Sequence, residues 1–480
     1  MAFSAAFSGD EVTKNSTFAI RKRKPNMSVA TSSVTAGMSG FVSTGTPPAA
    51  ARERAAIAVC DTVGVMLAGA PERAAQIART VVGPGAHGPC RIIGTSSRAS
   101  AADAAMLNGV AAHALDFDDM CFVSLAHPSC ALVPAALSGA ELIQASGRAI
   151  LDAYIVGFEV ECRLGAVMNP RHYHVRGWHC TSSIGTIGAA AAAARVLGLD
   201  AAATAHALGI AASSACGLKE NIGSMVKPLH AGLAARNGVT AARLAAEGFT
   251  ASDQAIDGPQ GYLAAMDSER PASALADALT DLDSRWEILD TGVTVKLYPS
   301  CAATHPPLDV LLDLQRRHGF TAEDVEAIDV EVDTMTPRLL IHAQPSSELE
   351  AKFSMPFCAA AAVVLGHPTI DTFDLQRIRD PRIQALMTRV TMRANPAFDA
   401  AAPLSQARVS VRLRDGRVVA DRADGARGYP GRLSDDELAT KFLGCAGRSL
   451  TRAGADQAFT AWRAIGESTD IGALTALCVP

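Results

Sequence analysis

The sequence predicts a mainly α-helical protein: a large all-α domain followed by a smaller α+β domain, with a site in the cleft between them. Three observations lead there. Alanine-rich segments of helix length repeat from Pro47 to about residue 290, each broken by Gly or Pro. From about residue 291 to 425 the apolar residues alternate with polar ones, which is the period of strands. The composition is 49% hydrophobic but only 5% aromatic, favouring close-packed helices over a β sandwich.

Residues 1–46 are rich in Ser, Thr, Ala and Gly and carry a basic cluster, Arg21 to Lys24, without a sustained period. They are expected to be a disordered extension, and no apolar h-region marks a secretory signal. From Pro47, PPAAARERAAIAVCDTVGVMLAGA has Pro at a helix start and Gly69 near its end. Helical segments are predicted at 100–119, 130–145, 148–167, 181–197, 201–217 and 230–247, several apolar nearly all round. Domain boundaries follow: 47–290 all-α, 291–425 α+β, and 426–480 helices that return to the first domain. Within 291–425, VTVKLYP reads as a strand and HPPLDVLLDLQRRHG as a helix with Pro in its first turn. VEAIDVEVD and TRVTMRA read as strands, and ARVSVRLRDGRVVADRA as a hairpin turning at Asp415-Gly416. Together these predict helices against an antiparallel sheet. SDDELATKFLGCAG then opens a helix on a Ser434 N-cap and an acidic first turn.

Several function classes drop out on composition. A chain of 480 residues can bury a large core. Its formal charge of −5 is interspersed, so nucleic acid is not an expected partner. Apolar runs are broken before they could span a bilayer, so no membrane association is expected. The 11 cysteines stand singly, without a CxxC pair, which fits a reducing, cytoplasmic setting better than a disulfide framework or zinc site. There is neither a Walker loop nor a GxGxxG following a strand.

The stretch HALDFDDMCFVSLAHPSCALVP (113–134) carries the chemistry. It sets Asp116, Asp118 and Asp119 within four residues, then His127 before an apolar run. On a continued helix, Asp116 and Asp119 would share a face. Carboxylates among apolar residues titrate abnormally, and a nearby histidine can move a proton near neutral pH. Four further stretches hold polar residues that packing does not require: RGWHCT (176–181), MVKPLHAG (225–232), KLYPSC (296–301) with His305, and KFSMPF (352–357). Each has a plainer reading. A lone His beside Trp is more often a satisfied core residue, a Lys before Pro is usually at the surface, and KFSMPF reads most simply as ordinary packing. A helix start after KLYPSC would welcome an anion.

Taken together, HALDFDD (113–119), HPS (127–129), GWHCTSSIG (177–185), KPLHAGLAARNG (227–238), KLYPSCAATH (296–305) and FSMPF (353–357) resemble, in order and spacing, the MmgE/PrpD family. That family contains 2-methylcitrate dehydratase, cis-aconitate decarboxylase and iminodisuccinate epimerase. The resemblance implies an all-α domain built from both chain ends, with a smaller α+β lid inserted between them. It also implies a homodimer and a small carboxylate substrate, with no metal or organic cofactor. Position by position it implies Asp116, His127 and His179 as catalytic residues. Lys227 and Lys296 would hold the substrate with Cys301, His305 and Met120. Two positions depart: decarboxylase members resemble one another in a hydroxyl-bearing residue where this chain has Met120, and the animal decarboxylases have His where Cys301 stands.

These residue types suit the reactions. Substrate carboxylates need cations, which Lys227 and Lys296 supply. Dehydration next to a carboxylate needs one base and one acid; decarboxylation needs only the acid; epimerisation needs groups on both faces of one carbon. Dehydration of a 2-methylcitrate-like hydroxy acid is the expected reaction, with decarboxylation of cis-aconitate type or epimerisation of iminodisuccinate type as alternatives. Two other classes remain open: a metallohydrolase with Asp116, Asp119, His127 and His179 as ligands, and a non-catalytic dicarboxylate binder.

Overall fold

Polar caps begin many of the long helices. Ser100, Ser146 and Asp200 each accept a hydrogen bond from a backbone N–H three residues on, starting Ala101–His113, Gly147–Met168 and Ala201–Ser214. Ser434 and Glu437 form a capping box that opens Asp435–Ala446, as its acidic first turn predicts. The structure, a computed structural model, describes residues 33–82, 87–401 and 405–480. Ser33–Pro480 forms one compact unit. With 57% helix and 8% strand it is mainly α, as expected.

The predicted extension is corrected over residues 33–46. Ser33 caps a helix, Val34–Thr44, whose Val34, Met38, Phe41 and Val42 are buried. Those four follow helical spacing, but short polar and glycine residues between them hide the period. Residues 1–32 lie outside the described residues.

Two separate apolar cores organise the rest. The larger is helical and draws on both chain ends, from Met38 and Val59 to Phe442 and Trp462. Helix Cys180–Val196 runs through it, buried nearly all round, as its small residues allow. The smaller core, from Leu297 to Val419, belongs to the α+β part. Its four-stranded sheet runs in the order Val390–Ala394, Val325–Val332, Ala407–Leu413, Val418–Ala423. The expected antiparallel sheet is corrected to a mixed one, because Val390–Ala394 pairs in parallel with Val325–Val332, Ile328 opposite Val390. Helices Met355–Leu365 and Pro381–Met387 lie between those strands in the chain and supply the crossover that a parallel pair requires. The DG hairpin forms as predicted, with Gly416 at φ +90°.

VTVKLYP is not a strand. It runs irregularly, and Thr294 alone pairs with Met120 through backbone bonds of 2.8 and 3.0 Å. Apart from exposed Cys216 and half-buried Cys301, every cysteine is buried, and all are free thiols. Among the described residues no single helix is long and apolar enough to cross a membrane; Ala49–Gly69 and Arg73–Val82 pass that test only as a pair bent by 83°.

Candidate active site

The helix predicted over 100–119 ends at His113, and this early stop creates the site. Asp116 turns into the left-handed region, φ +54°, which a short acidic side chain tolerates. The three carboxylates therefore point three ways, and the expected shared face of Asp116 and Asp119 does not exist. Asp118 accepts from His113 Nδ1 at 2.7 Å. Asp119 accepts from the Ser129 backbone N–H at 3.3 Å and from the Ser129 hydroxyl, which also meets Tyr154 Oη at 2.7 Å. Asp116 accepts at one oxygen, Oδ1, from both Lys227 Nζ at 2.6 Å and Lys296 Nζ at 2.9 Å.

Packing brings those lysines in. Lys227 stands in the first turn of Val226–Ala246, which crosses the Ala101–His113 helix where both have glycine. A Cβ on Gly109 would sit 2.8 Å from Gly232 Cα, so only two glycines let the backbones approach this closely. Lys227 is 7% exposed, against the surface position that a Lys-Pro pair predicts. Lys296 is pinned by its neighbours: Thr294 pairs with Met120, and Val295 N–H donates to Gly428 O at 2.9 Å. Its Nζ also donates to the Asp116 carbonyl at 2.8 Å.

Four histidines surround this ion cluster. His127 Nδ1 meets the Asp119 carbonyl at 2.8 Å. A carbonyl only accepts, so that bond assigns the proton to Nδ1 and leaves Nε2, 3.9 Å from Asp116 Oδ1, as a base. The His113 ring lies 4.7 Å from that of His127 and 5.9 Å from that of His179, centroid to centroid. His179 Nδ1 meets His230 Nδ1 at 3.1 Å.

Protonation follows from these neighbours. Burial opposes ionisation of Asp116, but Lys227, Lys296 and His127 outweigh it and hold the carboxyl well below the usual range. Burial lowers Lys296, yet Asp116 and Asp118 more than restore it, so it stays an ammonium. Burial pushes His127 well below its ordinary value, and the two lysines add to that against Asp118. His179 is pushed the same way by burial, His113 and Lys227. Both rings are thus held toward the neutral form.

Asp116, His127, His179, Lys227, Lys296, Cys301 and Met120 all line one cavity of about 850 Å³. His305 is not among the residues that line it. It begins the His305–His318 helix with its ring against Tyr298, centroids 5.0 Å apart, and Nε2 3.4 Å from the Ser300 carbonyl. Sequence reasoning noted Asp118 in the acidic stretch without giving it a role, and passed over His113, His230 and Lys352. His113 opens the acidic motif, and His230 follows Lys227 by three residues on the same helix, a spacing that shares a face. Lys352, assigned to ordinary packing, donates from Nζ to the Leu115 carbonyl at 2.6 Å, beside the Asp116 turn. Its backbone carbonyl also accepts from Cys301 N–H at 3.0 Å.

A divalent cation fits this donor set poorly. His113, Asp116, Asp118 and His127 could each offer an atom within 4.8 Å of the others. Asp116 Oδ1 already holds two ammonium groups, and a metal there would face both. The ammonium groups occupy the electrostatic place a metal would take.

The chain matches known proteins along most of its length. Residues 40–275 match the MmgE/PrpD N-terminal domain and residues 298–463 the MmgE/PrpD C-terminal domain. It is 31% identical to cis-aconitate decarboxylase of Mus musculus over 386 residues, 78% of each chain. It is 28% identical to cis-aconitate decarboxylase-like protein oryM of Aspergillus oryzae, covering 74% of this chain and 78% of that one. Cis-aconitate decarboxylase of Aspergillus terreus is 26% identical, over 83% of this chain and 86% of its own. With both domains matched in order across the two cores and the cavity between them, the chain belongs to the MmgE/PrpD family.

Proposed function

We propose that this protein is a lyase acting on a small di- or tricarboxylate by general acid–base catalysis, with dehydration of a 2-methylcitrate-like hydroxy acid as its reaction. One observation carries the reading: two ammonium groups share a single carboxylate oxygen beside two histidines kept neutral. Lys296 spends two of its three donors on Asp116, and Lys227 one, which leaves donors for an incoming carboxylate.

The substrate itself sets the protonation states. Its carboxylates offset the lysine charge, so the proton affinity of the adjacent histidines rises on binding. One histidine then carries a proton while the other stays a base. His127 Nε2 takes the proton next to a carboxylate, and the electron pair left behind forms the double bond. The hydroxyl leaves with a proton from His179, as water. Asp116 holds Lys227 and Lys296 in place throughout.

A second reading, decarboxylation, is favoured by the named relatives. There the C–C bond to a carboxylate breaks, carbon dioxide leaves, and a protonated histidine supplies the proton to the carbanion. Met120 offers no hydroxyl to that site.

The test is incubation of purified, metal-chelated protein with 2-methylcitrate, citrate, cis-aconitate and iminodisuccinate, followed by mass spectrometry and chiral analysis. Loss of water from 2-methylcitrate supports the first reading, and loss of carbon dioxide from cis-aconitate replaces it with the second. Turnover that stops with chelator and returns with a divalent ion would remove both.

A further inference from the structure

The charged cluster accounts for only part of its cavity. Lys227, Lys296 and Asp116 sit within 3 Å contacts of one another, whereas the cavity extends to about 850 Å³. That is near the top of the roughly 300–1,000 Å³ typical of pockets for drug-sized ligands. A six-carbon acid leaves most of it unfilled. Beside polar groups such as Arg270, Asp333 and Asp399, the lining has apolar side chains that the acid–base chemistry does not use. Met120, Phe122, Leu125, Met335, Leu339 and Phe398 are among them.

Two observations mark that wall as built for a ligand. Met335 and Leu339 are 41% and 36% exposed, large apolar groups left uncovered at the cavity edge. Leu125 stands at φ +51°, a conformation unfavourable for a branched side chain, inside the turn closed by Cys121 N–H on the Ala126 carbonyl at 2.9 Å. The strain holds a leucine at the cavity surface one residue before the Ala126–His127 step.

The acidic groups on this side are occupied. Asp399 accepts from Thr334 N–H and hydroxyl at 2.9 and 2.8 Å, and Asp333 from the N–H groups of Met335 and Thr336 at 3.0 and 2.7 Å. They shape the loop that presents Met335.

We propose that the substrate is amphiphilic: a di- or tricarboxylate head at Lys227 and Lys296, carrying an alkyl substituent of several carbons that lies along Met120, Phe122, Leu125, Met335, Leu339 and Phe398. This rests on the carboxylate reading above and narrows it. Met120 then has a positive role, as apolar surface where the head meets the tail. A fully buried methylene tightens binding about fourfold, so affinity for the head alone is weak and chain length sets the rest.

The test is calorimetric titration with succinate, 2-butylsuccinate and 2-octylsuccinate, using wild type, Leu339→Asp, Met335→Asp and Lys227→Met. Both aspartate variants lie at partly exposed positions, so the fold tolerates them. The expected result is a dissociation constant that falls by about two- to fourfold per added carbon. In the aspartate variants that gain shrinks while succinate binding stays the same. Equal affinity for all three acids, weakened alike by Lys227→Met, overturns the alkyl proposal and leaves the carboxylate reading standing. Binding that grows with chain length but ignores Lys227→Met removes the carboxylate head, and with it both readings.

Discussion

Two buried lysine–aspartate clusters in this protein look alike on paper and do opposite things. In the cavity, Lys227 and Lys296 converge on Asp116. Beneath it, Lys441 from the Asp435–Ala446 helix meets Asp61 of the Ala49–Gly69 helix, Nζ 2.8 Å from Oδ2. Lys441 also donates to the Phe117 carbonyl at 2.8 Å and lies 4.3 Å over the Phe117 ring. All three of its donors face protein or an aromatic surface, one cation against one anion. Burial pushes Asp61 up despite Lys441, while two lysines and His127 hold Asp116 down despite the same burial. The lesson is stoichiometric: a matched pair closed to solvent is structural, whereas a carboxylate shared by two ammonium groups at a cavity keeps spare donors, the feature on which the proposed anion site rests. The sealed pair also ties the Asp435–Ala446 helix to Phe117, in the middle of the acidic motif, so it braces the loop that the cavity uses.

The largest expected effect lies at the cavity. His127→Ala is expected to lower kcat by about 10²- to 10⁴-fold with the melting temperature nearly unchanged. Activity within about tenfold of wild type would show that the base is elsewhere. Lys227→Met is expected next, raising KM or lowering kcat/KM by about 30- to 10³-fold, the range for truncating one partner of a buried charge contact. Lys441→Met should reverse the pattern. Breaking a sealed pair costs about 3–5 kcal/mol of stability, read by chemical denaturation, with kcat/KM retained below the transition. A Lys441→Met protein that is stable but inactive would erase the distinction between the clusters.

A smaller effect is expected at Lys352. Burial lowers its ammonium to about 8, with Asp116 opposing and Lys296 adding to the fall. As pH rises through 8 it loses its charge and its hold on the Leu115 carbonyl, so wild-type kcat/KM should decline there. Lys352→Arg should keep activity and lose that basic limb. Lys352→Met should be about tenfold slower at pH 7, as for one lost charge-assisted bond of roughly 1.5 kcal/mol. An unchanged pH profile in both variants would make Lys352 a packing residue after all.

How much of this was legible in the sequence depends on range. The alanine-rich helices, the DG hairpin and the Ser434 cap are local signals, and the structure has them. The helix at Val34–Thr44 is local too, but glycine and hydroxyl residues diluted its period. The parallel strand pair is set by a crossover some sixty residues long, which no window of alternation registers. At the site, motif order pointed to Asp116, His127, His179, Lys227 and Lys296, and all of them line the cavity. What could not be read was orientation. Asp116 and Asp119 part company because the helix stops at His113, a decision made by the backbone at φ +54°. Lys352 reaches Leu115 from 237 residues away, so nothing in KFSMPF announces it.

The smallest expected effect, and the sharpest test of the comparison, is at Asp119. It shares the acidic motif with Asp116 yet faces Ser129 and Tyr154 in the core. Burial raises it to about 8, with Asp61 and Asp118 adding to the rise and Ser129 opposing. The folded protein therefore keeps this proton where the unfolded chain, with an ordinary carboxylate near 3.8, has lost it. Its contribution to stability is fully present below that ordinary value and is lost progressively as pH rises toward 8. Asp119→Asn removes the titration while keeping a group that can bond Ser129. The backbone carbonyl that orients His127 is untouched by the change. The variant should show a shallower fall of melting temperature between pH 5 and 8 than wild type, equal or greater stability at pH 8, and kcat/KM within about twofold, the ordinary range for a change of a few tenths of a kcal/mol. Loss of activity by a hundredfold with an unaltered pH dependence of stability would place Asp119 among the working groups of the cavity. The motif would then be one acidic cluster, and the division between a cavity carboxylate and a core carboxylate would fail at its nearest pair.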